Sequence, residues 1–140
     1  MTNHVHMLVS AGEVTFLSRF MHGVQRSYHH YYRKKYKWFG HLFQGRYRSL
    51  PVETEAYLFD CGRYIERNPV RAKLVKDTKD WPYTSFSFYA YGVNDEIIQT
   101  SPIYDSLGRN DEEKQKAYRD HVEIVRPYEE ILDRELVDAQ

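Results

Sequence analysis

The sequence predicts an α+β domain, and three observations carry that expectation. The run His4-Val5-His6-Met7-Leu8-Val9 is rich in β-branched and apolar residues and ends at the turn-forming Ser10-Ala11-Gly12, the pattern of a strand closed by a turn. Helical spacing of apolar residues then dominates two stretches, 13–35 and 54–68. Between them, Phe43 to Leu50 returns to strand-prone composition. The length of 140 residues is that of one ordinary domain, large enough to bury a core without disulfides or structural metals.

Taken in order, the first strand has a side-chain period of two, so His4 and His6 share one face,. From Glu13 to Lys35, Leu17, Phe20, Met21, Val24, Tyr28 and Tyr31 recur every three or four residues, with Arg19, Arg26 and Arg33 at other positions. That is an amphipathic helix, expected to pack its apolar side on a sheet. A turn at Trp38 to Leu42 leads to the second strand, Phe43 to Leu50, in which Gly45 suggests a bulge or a close backbone approach,.

Thr54 is placed to cap a helix running through Tyr57, Leu58, Cys61 and Ile65,. It is expected to stop near Asn68, because Pro69 disfavours helical geometry in the residue before it. Pro69 then suits the first turn of a further short helix to Leu74. Tyr64 and Asn68 fall on one face, one turn apart. From Trp81 to about Asn110 the pattern weakens into turn-prone segments. Glu112 to Val125 recovers helical spacing through Tyr118, Val122 and Val125, and an acidic tail follows Pro127. Two parts are expected, a core over 1–90 and a carboxy-terminal extension with a helix over 91–140.

The single cysteine, Cys61, excludes an internal disulfide and a multi-cysteine zinc site. No apolar run has the length of a membrane span or the pattern of an export signal, which points to the cytoplasm. The net charge is zero, but it is segregated. Residues 1–52 hold eight Lys/Arg against the single acid Glu13, a net of +7; residues 53–140 hold twelve against nineteen, a net of −7. No carboxylate occurs from Val14 to Val52, and Tyr28, Tyr31, Tyr32, Tyr36, Trp38, Phe39, Phe43 and Tyr47 are interleaved with the cations there. Cations bind phosphates and aromatic faces stack unpaired bases, so Arg26, Arg33, Lys34, Lys35, Lys37, Arg46 and Arg48 are read as a DNA-binding surface.

Two histidines two residues apart on a strand can turn both imidazoles into one site, and an oxygen such as that of Asn68 can complete a facial set around a divalent cation. Alone, a His-x-His is more often ordinary packing. Its weight comes from Tyr64, because a tyrosine oxygen can cleave a phosphodiester when a metal absorbs charge developing on the phosphate oxygens.

These residues resemble a known family. Met1-Thr2-Asn3-His4-Val5-His6-Met7-Leu8 is similar to the HUH-motif strand of the REP-associated tyrosine transposases, relatives of the single-strand insertion-sequence transposases, which usually have proline where Thr2 stands. Gly40-His41-Leu42-Phe43-Gln44-Gly45-Arg46-Tyr47-Arg48-Ser49 resembles the family's basic and aromatic segment. Arg63-Tyr64-Ile65-Glu66-Arg67-Asn68-Pro69-Val70-Arg71-Ala72 resembles its nucleophile helix, and Trp81-Pro82-Tyr83-Thr84-Ser85-Phe86 its downstream tryptophan and serine box. The resemblance runs from Met1 to about Val125.

The resemblance implies a one-tyrosine nuclease on a ferredoxin-like HUH endonuclease sheet with packed helices. His4, His6 and Asn68 would bind Mg²⁺ or Mn²⁺, and Tyr64 would be the nucleophile. Single-stranded or hairpin DNA would be cut and rejoined through a 5′-phosphotyrosine, by a monomer or a homodimer. The family places a strand-helix-strand unit before the HUH strand, so the chain is expected to be amino-terminally truncated. The alternative is a catalytically inactive DNA-binding remnant of such a transposase. A metal-dependent barrel hydrolase, which also uses His-x-His on a strand, needs on the order of 250 residues.

Overall fold

Every regular element among the described residues is helical. The computed structural model describes Met1 and residues 3–126, and it contains α1 (Val14–Tyr36), α2 (Glu55–Arg71), a 3-10 turn (Thr78–Asp80), α3 (Phe86–Tyr91), α4 (Pro102–Asp105) and α5 (Asp111–Glu123). The acidic tail beyond Pro127 and Thr2 of the histidine motif lie outside the described residues.

The ferredoxin-like sheet expected from the sequence is therefore corrected. Residues 4–9 and 43–50, read as strands, form none. Alternating apolar residues favour an extended backbone, but a strand exists only when a second segment supplies its ladder of hydrogen bonds. Among the described residues, no backbone-to-backbone hydrogen bond joins residues 3–12 or 37–53 to another segment. The helix expected to lie on that sheet loses its cover with it. Met21 is the one α1 side chain described as buried, whereas Phe16, Phe20 and Val24 stay 52%, 49% and 42% exposed.

The chain divides into two compact units. One comprises Val9–Pro51. In it α1 starts after Glu13 and ends at Lys37, whose φ of 53° leaves the helical region. The segment that follows folds back on α1, where Ser18 Oγ and Tyr47 Oη lie 2.9 Å apart, His29 Nε2 is 3.3 Å from the Gly40 carbonyl oxygen, and the Phe43 ring is 6.2 Å from that of Tyr28.

The other unit joins Met1–Leu8 to the described residues from Val52 onward. As expected, Thr54 caps α2, its hydroxyl accepting from the Tyr57 amide at 3.2 Å. The helix does not stop at Asn68, however. It continues through Pro69 to Arg71, so residues 69–74 are no separate helix. Proline removes one helical donor and crowds the turn before it, but Pro69 is buried, and the amides of Ala72 and Leu74 donate to the carbonyls of Asn68 and Pro69, both at 2.9 Å. Packing and these bonds outweigh the local preference.

The core of this unit is aromatic. Phe86 and Ala90 of α3, Tyr104 of α4, and Tyr118 and Val122 of α5 are buried together, with Phe59 of α2 packed against them. The weakly patterned stretch after Trp81 thus contains two short helices that periodicity missed. Their caps are legible in retrospect, for Ser101 accepts from the Tyr104 amide and Gly92 closes α3 with φ 69°. Two arginines of α2 hold the carboxy-terminal end of α5: Arg63 Nη1 donates to the Ile124 carbonyl at 2.5 Å and Arg67 Nη1 to that of Val122 at 3.1 Å. Cations there answer both the open carbonyls and the negative end of the helix dipole.

Candidate functional site

Among residues 3–8 no strand forms, and His6 and Leu8 lie beside α2. Leu8 Cδ1 comes 3.9 Å from where a Cβ on Gly62 would stand, an ordinary van der Waals distance that sets Leu8 beside α2. That approach brings the histidine motif to the helix that bears Tyr64. The His6 ring meets the Tyr64 ring edge to face, with centroids 5.8 Å apart at 77°, and the His4 ring meets His6 in the same way at 4.8 Å and 84°. Tyr64 is 6% exposed and Asn68, one helical turn later, 8%. His4, His6 and Tyr64 are thus brought into one cluster, with Asn68 on the helix that bears Tyr64.

Electrostatics favour a neutral His4. Partial burial, and secondarily the positive amino terminus, lower its pKa below the usual histidine value. A neutral imidazole is the form that can ligate a metal. His4 Nδ1 lies 2.8 Å from Asn3 Oδ1, which leaves Nε2 as its ligand atom. Among the described residues, no three His, Cys, Asp or Glu side chains gather into a metal site. The expected donor set differs in kind, because its third member is the amide Asn68. Two adjacent imidazoles and a carboxamide oxygen form a neutral set of the kind that divalent cations accept, and in chemistry these residues fit.

The sequence reading missed two neighbours. Arg71 ends α2, and its guanidinium lies over the Tyr64 ring, 5.4 Å from the centroid. Helical spacing from Tyr64 through Asn68 would have found it, had the helix been read past Pro69. Glu66 projects from α2 into the core, where it is 1% exposed and accepts a 2.5 Å hydrogen bond from Ser85 Oγ.

All seven residues of the expected DNA-binding surface are exposed and belong to the Val9–Pro51 unit. Arg26, Arg33, Lys34 and Lys35 stand on α1, Lys37 follows its end, and Arg46 and Arg48 lie in the segment beyond. An open groove of about 720 Å³ runs along α1, lined by His22, Arg26, His29, His30 and Arg33. Aromatic rings line the same unit: Tyr32 lies 6.1 Å from Tyr28, 4.5 Å from Tyr36 and 6.1 Å from Trp38. Arg33 lies over Phe39 at 5.9 Å, and Lys35 over Tyr31 and Tyr36 at 5.3 Å each. The Lys35 ammonium donates to the Tyr31 hydroxyl at 2.8 Å, which with the Tyr36 hydroxyl raises its pKa. Charge and stacking surface thus occur side by side, as phosphate and base binding require.

Comparison with known proteins gives one result. Residues 1–68 match the model of a transposase family described as "Transposase IS200 like". The matched residues contain His4, His6, Tyr64 and Asn68 together with the whole basic and aromatic stretch. The likeness to this transposase family covers 68 of the 140 residues, just under half of the chain. No curated protein and no solved structure matches the chain. No described helix is long and apolar enough to cross a membrane.

Proposed function

We propose that this protein is a tyrosine transposase of the REP-associated kind, cleaving and rejoining single-stranded hairpin DNA through a 5′-phosphotyrosine. The observation that carries this reading is the contact of His6 with Tyr64, because it joins the histidine motif to one tyrosine among thirteen. In the first step Tyr64 Oη attacks the phosphorus. A phosphotyrosine bond forms, the bond from phosphorus to the 3′ oxygen breaks, and the phenolic proton is balanced by the one taken up at the freed 3′-hydroxyl. The bond energy is retained, so a second 3′-hydroxyl can reverse the step on another strand.

His4, His6 and Asn68 would hold Mg²⁺ or Mn²⁺, which when bound neutralises charge on the phosphate oxygens. The chain's own residues do the rest. Helix α2 fixes Tyr64 against its neighbours by rigid backbone, and burial keeps competing water from the phenol. Manganese is expected to bind more tightly than magnesium, since imidazole suits it better. Calorimetric titration of Mn²⁺ is expected to show one site in the wild type and none in His6→Ala; equal binding by both would make the histidines structural.

DNA binding is expected to weaken steeply with salt, and Arg33, Lys34 and Lys35 together to account for about two units of the log–log slope, at about 0.7 per phosphate on single strands. An unchanged slope in the triple alanine variant would remove this segment from the interface. The second reading, a DNA-binding remnant without catalysis, is favoured by the basic surface occupying a unit of its own, and it predicts this salt dependence with no covalent chemistry.

A further inference from the structure

We propose that Arg71 is a further catalytic residue, whose guanidinium receives the phosphodiester that Tyr64 attacks; the inference rests on the reading of Tyr64 as nucleophile. The three arginines of α2 make different contacts. Arg63 and Arg67 reach the carbonyls at the end of α5. Arg71 instead lies over Tyr64, seven residues on from it and three from Asn68, which places all three on one helical face,. The ring is thereby bordered by His6 at its side and by a guanidinium over its face.

The chemistry of the site calls for such a group. A phosphodiester in line with Tyr64 spreads its negative charge over two free oxygens, and a cation already over the same ring can meet them,. Arginine stays charged at all working pH values, and its planar fork matches two phosphate oxygens at once. A phosphorus in line with Tyr64 Oη sits within a few ångströms of that oxygen, inside the sweep of a long side chain already lying over the same ring. An Arg71 with a structural role alone would not respond to a diester.

The probe is dimethyl phosphate, the smallest phosphodiester, added to the full ¹⁵N-labelled chain against sodium chloride at equal ionic strength. The Nε–H signal of Arg71 is assigned by its absence in Arg71→Lys. A saturable shift of that signal is expected, with other arginines following the salt control. Binding should weaken about tenfold in Arg71→Met, the loss of one charge-assisted contact, and less in Arg71→Lys. Tyr64→Phe should bind as the wild type does. Absence of a saturable Arg71 response in the wild type, or undiminished binding in Arg71→Met, overturns the proposal. Should Arg71→Met not fold, the wild-type titration and Arg71→Lys decide alone. A response at Arg71 without any covalent adduct at Tyr64 would count against the nucleophile and leave the phosphate site standing; an adduct without the response would overturn Arg71 alone.

Discussion

Tyr64→Phe is expected to reduce the covalent protein–DNA adduct to background while leaving folding and DNA binding close to wild type. The substitution removes one oxygen and keeps the ring, which is what His6 and Arg71 contact. A change in stability of no more than about 1 kcal/mol follows, the scale of a single hydrogen bond. Chemistry is affected differently, because no other atom of residue 64 can attack phosphorus, so the loss is complete. The assay incubates protein with Mn²⁺ and labelled hairpin DNA and resolves the adduct on a denaturing gel. Asn68→Ala is expected to raise the metal concentration needed without moving the attachment site. An adduct of undiminished yield in Tyr64→Phe would remove Tyr64 from its assigned role.

Glu66→Gln is expected to stabilise the protein above pH 7 and to change little below pH 4.5. Burial pushes the Glu66 carboxyl from 4.5 up to about 7, against hydrogen bonds from Ser85, the Phe86 backbone and Tyr118 that lower it. Among the described residues its Oε2 has no hydrogen-bond partner. A folded-state pKa above the unfolded one means that the native state holds the proton more tightly. The stabilisation is therefore fully present below 4.5 and is lost as pH rises through about 7,. The size is on the order of 3 kcal/mol at 1.36 kcal/mol per pH unit, a large fraction of the stability of a small domain. Glutamine keeps an oxygen for Ser85 and carries no charge. Urea denaturation on either side of this window should show the wild type weakening relative to Glu66→Gln as pH rises. A difference between the two proteins that does not vary with pH would contradict the account.

Sequence periodicity located the long helices well because each is decided locally. Thr54 capped α2 as read, and α1 falls within a residue of its expected limits. The strands failed for a different reason. The alternation in His4 to Val9 states only that an extended conformation is acceptable, and pairing depends on a partner elsewhere in the chain. Pro69 misled in the other direction, since its local preference was overridden by burial, and the early stop hid Arg71 on the very face that carries Tyr64 and Asn68. Glu66 was invisible because a glutamate in a helix is ordinarily solvated. Only the packing of α3 and α5 against α2 turns it into a buried acid. The proximity of His6 to Tyr64 is separated by 58 positions and has no local signature; family resemblance anticipated it where periodicity could not.

The central claim is that Tyr64, among thirteen tyrosines, forms the bond to DNA. Peptide mapping of the adduct by mass spectrometry tests it most directly, using the chain with Mn²⁺, hairpin DNA and nuclease trimming before digestion. The account predicts a nucleotide remnant joined through a 5′-phosphate to the peptide containing Arg63-Tyr64-Ile65. Attachment at another residue, such as Tyr57 on the same helix, or a 3′-phosphate linkage, would contradict it.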